Sequence, residues 1–376
     1  MVKLPRKYLV SLLDYELPAE LIAQQPLAER DASRLLLVNR AQKSMAHYKF
    51  LELPELLPER SFLVLNDSRV MRSRYFCTRV DTGGRVEVLL TRVHEDGTAE
   101  CLTEARGHIQ QGERLAFRDG VEFKVLRPTG RDEPGRVRIL QNGEAPDEGR
   151  LREILEAGAL PLPPYLKEEL NDEERYQTSF AEKTGSSAAP TAGLHFTQRT
   201  FDGLARRGIE YARITLHVGT ATFLPIRGDD AAGHHLAPEP YSISLPELKR
   251  ILAAKLSGRP VVAVGTTSIR VLERVFANWR AACDEMGVSL AGELANVPDA
   301  ALLKRFPAAG ETDLYVLPGY EFEFVDALLT NFHLPRTTLL ALVYAFGGRE
   351  LVRRAYGDAI ARRYRFYSLG DAMLVV

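Results

Sequence analysis

One segment of the chain gathers small and hydroxyl-bearing residues around a histidine. It reads AEKTGSSAAPTAGLHFT and spans residues 181–197. Glycine, serine and threonine let backbone amides and hydroxyls approach a ligand closely, and His195 can move protons near neutral pH. We therefore predict a binding loop with a general acid or base at His195. The alternative is a plain surface loop that caps the following helix, with Thr197 as the N-cap.

A second candidate site lies where a predicted strand runs into a helix. The run AVGTTSIRVLE, residues 263–273, places Gly265, Thr266 and Thr267 at the helix N-terminus, where open backbone donors suit an anionic or polar ligand. The run lacks the lysine of a Walker loop and does not match the GxGxxG fingerprint. Ordinary capping at a strand–helix junction is the alternative.

Two more polar residues follow predicted strands. His217 stands in TLHVGTATFLPI, residues 215–226, although a strand histidine is more often packed than catalytic. Asp67 lies beside Arg69 in VLNDSRV, residues 64–70. Asp67 is either an ordinary turn residue or part of a cleft at an interdomain corner.

Near the C-terminus, polar residues stand just ahead of an apolar helix. Asn331, His333 and Arg336 interrupt LLTNFHLPRTTLLALVYAFGG, residues 328–348. This pattern predicts either a site at the mouth of the helix or a core segment with a proline-initiated helix. Arg365 lies among aromatic residues in YRFYSLGD, which suits base stacking and phosphate contact but also fits an ordinary amphipathic terminus.

The composition excludes several classes of protein. A chain of 376 residues with 45% hydrophobic and 26% charged residues is neither disordered nor collagen-like. Its 49 basic and 50 acidic residues give a net charge of −1, so any binding to nucleic acid must use a local patch. Three scattered cysteines are too few for a disulfide framework or a zinc site, so we expect no metal and a cytoplasmic location. The sequence shows no signal-peptide pattern and no apolar stretch near the ~20 residues of a membrane span.

The pattern of the sequence divides the chain into two domains. Between about 69 and 150, short alternating runs separated by turn signals predict a small barrel or sandwich. After a proline-rich stretch, strand-like runs alternate with helical runs such as LPELKRILAAKLSG, which is typical of an α/β fold. We therefore predict a major α/β domain from residues 1–68 and 151–376, with residues 69–150 inserted into it. A short helix is expected from Pro18 to Gln25.

Several long strings occur in one order over essentially the whole chain and together resemble one family. The chain is similar to the S-adenosylmethionine:tRNA ribosyltransferase-isomerases of queuosine biosynthesis. The strings that carry the resemblance are SRLLLVNR, LVLNDSRVM, TGGRVEVLL, LPLPPYL, ERYQTSFAEKTGSSAAPTAGLHFT, TLHVGTATFLPI, AVGTTSIRVLE, TDLYVLPGYEFEFVDALLTNFHLPRTTLLALV and YRFYSLGDAML.

The resemblance implies a fold and a reaction. The fold is a major α/β domain with an inserted small antiparallel β-barrel. The reaction moves the ribosyl part of S-adenosylmethionine onto 7-aminomethyl-7-deazaguanine at the wobble position of tRNA, and isomerises it to give epoxyqueuosine with release of adenine and methionine. S-adenosylmethionine is then a co-substrate, tRNA is the partner, and no cofactor or metal is expected.

The chemistry of this reaction leads us to a hypothesis for the role of each candidate residue. Proton transfer falls to His195 first, with Asp67 and His217 as its partners and His333 as a further candidate. Two groups of residues would hold substrates. Those expected to bind S-adenosylmethionine are Ser187, Thr191, Gly193, Gly265, Thr266 and Thr267. Those expected to bind tRNA are Arg69, Arg336 and Arg365.

The chain departs from the family pattern at two positions near the expected site. Ala237 replaces a usual histidine in the run that starts at His234, and Ala221 replaces a usual glycine. Two alternatives follow from these departures. One is a divergent homologue that uses S-adenosylmethionine on another acceptor, and the other is a non-catalytic RNA-binding relative. Retention of proton-transfer groups argues against the second.

Overall fold

The computed structural model describes residues 8–94, 96–130, 133–168, 170–219, 226, 228–296, 298–305 and 307–376. The chain divides into two compact units. The major unit comprises the described parts of Met1–Arg69, Pro164–Lys183 and Ala189–Val376, and the barrel unit comprises those of Val70–Pro163 and Thr184–Ala188. The predicted fold class, an α/β domain with an inserted antiparallel barrel, is confirmed.

A nine-stranded sheet forms the centre of the major unit's described residues. Its strands are, in spatial order, β15 (Ala309–Thr312), β13 (Glu239–Ser242), β12 (Glu210–Leu216), β3 (Phe62–Asn66), β14 (Val261–Val264), β16 (Ala327–Asn331), β17 (Ala372–Val375), β1 (Arg34–Asn39) and β2 (Ser44–Lys49). Strands β12, β3, β14 and β16 run parallel to one another. Their carboxyl ends therefore meet at one edge of the sheet, where α/β proteins usually bind ligands.

Apolar side chains cover both faces of the central strands. Every residue of β3 and β14 is buried, as expected for parallel strands with helices packed on both faces. The core on one face joins strand residues such as Leu65 and Leu329 to Phe50 and Phe196. The helices of the major unit are α1 (Leu53–Leu56), α3 (Gln198–Arg206), α4 (Leu245–Leu256), α5 (Thr266–Met286), α6 (Leu290–Asn296), α7 (Asp299–Arg305), α8 (Thr338–Gly347) and α9 (Arg349–Ala361).

The barrel unit is a closed barrel built around its own core. The strands follow the order β10 (Gly135–Gln141), β7 (Thr98–Ala105), β6 (Arg85–Val93), β5 (Arg74–Arg79), β8 (Arg114–Ala116) and β9 (Val121–Arg127). Tyr75 and Phe123 fill the interior. The unit extends beyond residue 150, where the sequence placed the boundary, because α2 (Glu148–Glu156) packs Ile154 into this same core. Strands β4 (Ser68–Val70) and β11 (Lys183–Ser186) lie where the chain passes between the units.

Three local predictions can be compared with the structure. Thr197 is confirmed as an N-cap, since its hydroxyl accepts the backbone N–H of Thr200 at the start of α3. The helix expected from Pro18 to Gln25 is wrong, because the segment forms only a short 3₁₀ turn over Ala19–Leu21. The proline-initiated helix is also wrong, because α8 begins three residues after Pro335 and is capped by Thr337.

Across the described ranges, no helix combines the length and the apolar character needed to cross a membrane.

Candidate functional site

A cavity in the major unit opens at the carboxyl edge of the parallel strands. Its cavity volume is about 30 Å³ and it is partly open to solvent, and we refer to it as the first cavity. It brings together four of the six residues predicted to bind S-adenosylmethionine with one predicted catalytic residue, His333. Its lining is Ala189, Pro190, Thr191, Ala192, Val218, Gly265, Thr266, Thr267, Thr330, Asn331, His333, Leu339, Tyr367 and Ser368.

The N-terminus of α5 forms one wall of the first cavity. Gly265 ends the turn after β14 with φ +89°, a conformation that side chains other than glycine strain to adopt. In the part of the chain that the structure describes, no side chain caps this 21-residue helix. Its first N–H groups and its dipole therefore favour electron-rich atoms of a ligand. The buried hydroxyl of Thr267 has no hydrogen-bond partner among the described residues, so it can also bond a ligand.

Asn331, at the end of β16, connects the first cavity to His195. Its side-chain nitrogen donates to the carbonyl of Tyr367 over 3.1 Å and to Nε2 of His195 over 3.3 Å. The Tyr367 carbonyl can only accept, which fixes the orientation of the amide. The amide oxygen of Asn331 is consequently left without a partner among the described residues, although the residue is only 2% exposed. Such a buried acceptor in a cavity wall favours a hydrogen-bond donor on a ligand.

The contacts of His195 define its proton state. Nε2 accepts from Asn331, so Nδ1 carries the proton and donates to Ser33 Oγ over 2.8 Å. The ring stacks on Phe50 with centroids 4.9 Å apart. Burial, reinforced by the positive charges of Arg30 and Arg365, lowers the pKa of His195 to about 4, so the ring is neutral at pH 7.

His195 faces a neighbouring cavity, called here the second cavity. Its cavity volume is also about 30 Å³, and it shares Ser368 with the first cavity. His195 is therefore not sealed among aliphatic side chains, but both of its ring nitrogens already have partners. The residue is thus well held and poorly placed to take a proton without breaking a bond.

His333 lies in the wall of the first cavity, directly beyond β16. Its Nε2 is 2.9 Å from the hydroxyl of Thr330, and its backbone N–H donates to the hydroxyl of Tyr356 over 3.0 Å. The hydroxyl of Tyr15 donates to its carbonyl. Burial lowers the pKa of His333 to about 3, which leaves it a weak base.

Asp67 and His217 lie together at the ends of the neighbouring strands β3 and β12. Asp67 is buried and accepts the hydroxyl of Thr215 over 2.6 Å. Burial raises the pKa of Asp67, and it lowers that of His217, although the nearby Asp67 charge acts in the opposite direction on His217. Nδ1 of His217 has no partner among the described residues, and the next residue, Val218, lines the first cavity. The pair therefore offers a free imidazole nitrogen beside a carboxylate.

Two of the predicted binding residues have other surroundings. A Cβ at Gly193 would lie 2.8 Å from Phe180 Cζ and 2.9 Å from Thr178 Cγ2, so the glycine is required by close packing. Ser187 is buried within the barrel unit. Ala237 is exposed, and Ala221 lies outside the described residues.

The three arginines predicted to bind tRNA differ in their surroundings. Arg69 forms an ion pair with Glu174. The side chain of Arg336 is exposed, while its backbone N–H is bonded to Leu13. Arg365 is partly buried, and its guanidinium donates to the carbonyl of Gln25. Contact of these residues with tRNA stays a prediction.

Sequence reasoning missed two contacts that shape the site. The first is Ser33, because nothing in the sequence brings the start of β1 next to His195. The second is the buried ion pair between Glu239 and Arg270. Glu239 also accepts the N–H of Gly219 over 2.6 Å, so the pair anchors the chain that leaves β12 after His217. The sequence signalled this ion pair only by a polar residue in β13 and another in the first turns of α5.

Within the described residues, no three His, Cys, Asp or Glu side chains converge as the ligands of a metal ion would.

Comparisons with known proteins agree with this architecture. The queuosine biosynthesis protein family matches residues 10–375. An S-adenosylmethionine:tRNA ribosyltransferase-isomerase of Symbiobacterium thermophilum is 45% identical over 98% of this chain and 99% of its own length. A protein of the same name from an Anaeromyxobacter species is 44% identical, covering 97% of this chain and 98% of the relative.

A solved structure also covers both units. The crystal structure of an S-adenosylmethionine tRNA ribosyltransferase from Thermotoga maritima superimposes with a TM-score of 0.50 and 30% identity, over 97% of this chain and 100% of that protein. The family predicted from the sequence is confirmed. The chain belongs to the queuosine biosynthesis protein family, and it is a transferase.

Proposed function

We propose that the chain is an S-adenosylmethionine:tRNA ribosyltransferase-isomerase whose donor binds in the first cavity. Its acceptor is 7-aminomethyl-7-deazaguanine at the wobble position of tRNA. The products are tRNA carrying epoxyqueuosine, free adenine and methionine. Support comes from full-length relatives that carry this name and from a cavity at the expected edge of the sheet, whose wall has polar atoms without partners in the part of the chain that the structure describes.

One observation carries the proposal: polar atoms of Thr267 and Asn331 that have no partner among the described residues belong to the wall of the same cavity as the start of α5, which no described side chain caps. A nucleoside carries both hydrogen-bond donors and hydrogen-bond acceptors, so it can bond the amide oxygen of Asn331 as well as the N–H groups of α5. The positive end of the helix dipole repels a sulfonium, so we place the adenine rather than the sulfur against α5. There the dipole also stabilises negative charge that develops on adenine as it leaves.

Proton transfer is assigned to the pair formed by His217 and Asp67. The sulfonium acidifies the adjacent ribose carbon, so a neutral imidazole can remove a proton from it, after which adenine can depart. His217 has a lowered pKa and an Nδ1 without a partner among the described residues, and Asp67 stabilises the imidazolium that forms. The aminomethyl group must also lose a proton before it attacks as a nucleophile. His195 then acts as a positioning residue behind Asn331, and His333 as part of the cavity wall.

Adenine release tests this assignment. Wild-type protein, S-adenosylmethionine and tRNA carrying the aminomethyl base should release adenine and methionine in equal amounts, whereas tRNA with unmodified guanine at that position should yield no nucleoside product. His217→Asn should lower the rate more than about 100-fold, in the range expected for loss of a general base. The control is His235→Asn, because His235 is exposed. Equal rates in both variants would remove His217 from the mechanism.

The divergent-homologue alternative predicts adenine release with a different acceptor. Cytoplasmic location and the absence of a cofactor remain part of this proposal.

A further inference from the structure

Arginine side chains gather at the second cavity. Arg30 and Arg175 both line it, beside His195 and Ser33. The positive charge of Arg175 acts on Arg30, and the charges of Arg30 and Arg365 both act on His195, so Arg30 lies near Arg175 and Arg365 lies near the His195 ring. We call Arg30, Arg175 and Arg365 the arginine cluster.

The contacts of the arginine cluster are made almost entirely with backbone carbonyls. Arg30 donates to the carbonyls of Leu194 over 3.1 Å and Glu174 over 2.9 Å. Arg175 donates to the carbonyls of Leu27 over 2.6 Å and Ala28 over 3.1 Å. Such carbonyls orient a guanidinium but do not cancel its charge.

Neutralising carboxylates are occupied elsewhere. Among the described residues, no carboxylate lies within 4 Å of a cluster guanidinium nitrogen. Asp371 is paired with Arg34 over 3.1 Å, and Glu174 with Arg69. Asp172 accepts a backbone N–H in its own turn. The charges of Asp172 and Glu174 still act on Arg30, and that of Asp371 acts on Arg365, but among the described residues none of these carboxylates forms an ion pair with a cluster guanidinium.

Two nitrogens of the cluster are also unused. Nε of Arg175 and Nη1 of Arg365 are buried and have no hydrogen-bond partner among the described residues. Buried donors in this state cost free energy unless a ligand satisfies them. Neighbouring guanidinium groups with unused N–H donors favour binding of a planar oxyanion, because its oxygens can accept several N–H groups at once.

We propose that the arginine cluster forms an oxyanion subsite that extends the donor site. This inference rests on the proposed function. The oxyanion is a carboxylate or a phosphodiester: either the carboxylate of the methionine part of S-adenosylmethionine, or a phosphate of the tRNA beside the wobble nucleoside. The shared wall at Ser368 places the subsite next to the first cavity, so one molecule can enter both.

The test compares two donors that differ only in the carboxylate. Affinities of S-adenosylmethionine and decarboxylated S-adenosylmethionine are measured by calorimetry for wild-type protein, Arg175→Gln and Arg175→Lys. If the carboxylate binds the cluster, wild-type protein should favour the intact donor by about 10- to 100-fold, the range expected for charge-assisted hydrogen bonds. Arg175→Gln should remove this preference, and Arg175→Lys should keep part of it. Arg207→Gln is the matched control, because Arg207 pairs with Glu55 at the surface.

A second arm measures binding of an anticodon stem-loop to the same variants at several salt concentrations. Weaker binding and a smaller salt dependence in Arg175→Gln, with an unchanged donor preference, would assign the oxyanion to a phosphate and support the subsite. If the donor preference and the RNA binding both stay as in wild-type protein, the subsite is overturned.

The subsite can also be tested in wild-type protein, without relying on a variant that folds. Inorganic sulfate should compete with the intact donor, or with the stem-loop, in wild-type protein, and competition with neither would also overturn the subsite. Since all these measurements report binding, a subsite without any product formation would refute the proposed function alone. Product formation without the subsite would refute only this inference.

Discussion

Asn331 donates to Nε2 of His195 over 3.3 Å, and the same amide nitrogen donates to the carbonyl of Tyr367. This relationship fixes the tautomer of a buried histidine from the wall of the first cavity. It also turns the amide oxygen of Asn331 away from both partners. The amide nitrogen of Asn331 thus sets the tautomer of His195, while its amide oxygen offers a hydrogen-bond acceptor to a ligand.

Replacing this amide by a carboxylate should change the pKa of His195. In Asn331→Asp the new carboxylate can only accept, so Nε2 must carry a proton to keep the bond. We expect the pKa of His195 to rise from about 4 to above its ordinary value of 6.5, as NMR titration of the ring would show. Asn39→Asp, the same change at the end of β1, is the control. A pKa that stays near 4 in Asn331→Asp would show that the hydrogen bond does not set the tautomer.

His195 should make folding stability depend on pH. Its pKa is about 4 in the folded chain and 6.5 unperturbed, so between these values the unfolded chain binds a proton that the folded chain does not. The free energy of unfolding should therefore be fully retained above pH 6.5 and fall as the pH approaches 4, by up to about 3 kcal/mol from this residue. Urea unfolding at several pH values measures the slope.

The comparison for that slope is His195→Asn, with His235→Asn as a surface control. The first should flatten the pH dependence between 6.5 and 4, although His333 will still contribute in the same direction. Equal slopes in wild-type protein and His195→Asn would mean that folding does not lower the pKa of His195.

The carboxylate of Asp67 should shift the pH profile of the reaction. Its charge raises the pKa of His217 against the larger effect of burial, so Asp67→Asn should lower that pKa further. The acid limb of the rate profile should then move to lower pH, while the maximal rate falls because the imidazolium loses its partner. Single-turnover adenine release across the pH range measures both effects. An acid limb that stays in place would separate Asp67 from His217.

The hydroxyl of Thr267 should matter for donor binding and not for folding. Because Oγ1 has no partner among the described residues, Thr267→Val removes an unsatisfied group, and the free energy of unfolding should stay equal or rise by about 1 kcal/mol. Affinity for S-adenosylmethionine should fall about fivefold to tenfold, as for one lost hydrogen bond.

Thr338→Val is the matched control for that change. Thr338 also has a buried, unpartnered hydroxyl among the described residues, but it does not line the first cavity. It should share the effect on stability and leave donor affinity unchanged. Equal losses of affinity in both variants would show that Thr267 does not contact the donor.

Much of the fold follows from local patterns. Strands buried on both faces, such as β3 and β14, and the largely buried β1 appear in the sequence as continuous apolar runs. Barrel strands are buried on one face, so they appear as alternating apolar and polar residues. The start of α8 was misplaced because Pro335 is a strong local signal, whereas the helix begins where Thr337 can cap it. Ser33 and Asn331 both contact His195 but lie far from it in the sequence, and such long-range contacts leave no local pattern.

The site is predicted only in part for the same reason. Gly265, Thr266 and Thr267 could be found because a strand–helix junction is a local motif with a known ligand preference. The proton state of His195 depends on burial and on an amide brought from β16, which only tertiary structure supplies. Gly193 shows the converse, since a glycine in a predicted binding loop is required by the packing of Phe180.

Transfer of isotope from donor to tRNA is the decisive measurement for the proposed reaction. S-adenosylmethionine labelled with ¹³C at all ribose carbons is incubated with the protein and tRNA carrying 7-aminomethyl-7-deazaguanine, and the wobble nucleoside is analysed by mass spectrometry. The complete ribose label should appear in that nucleoside together with one adenine and one methionine per transfer, and Thr267→Val should need more donor for the same rate. An unlabelled nucleoside, or one that gains only a methyl group, would contradict the proposed reaction.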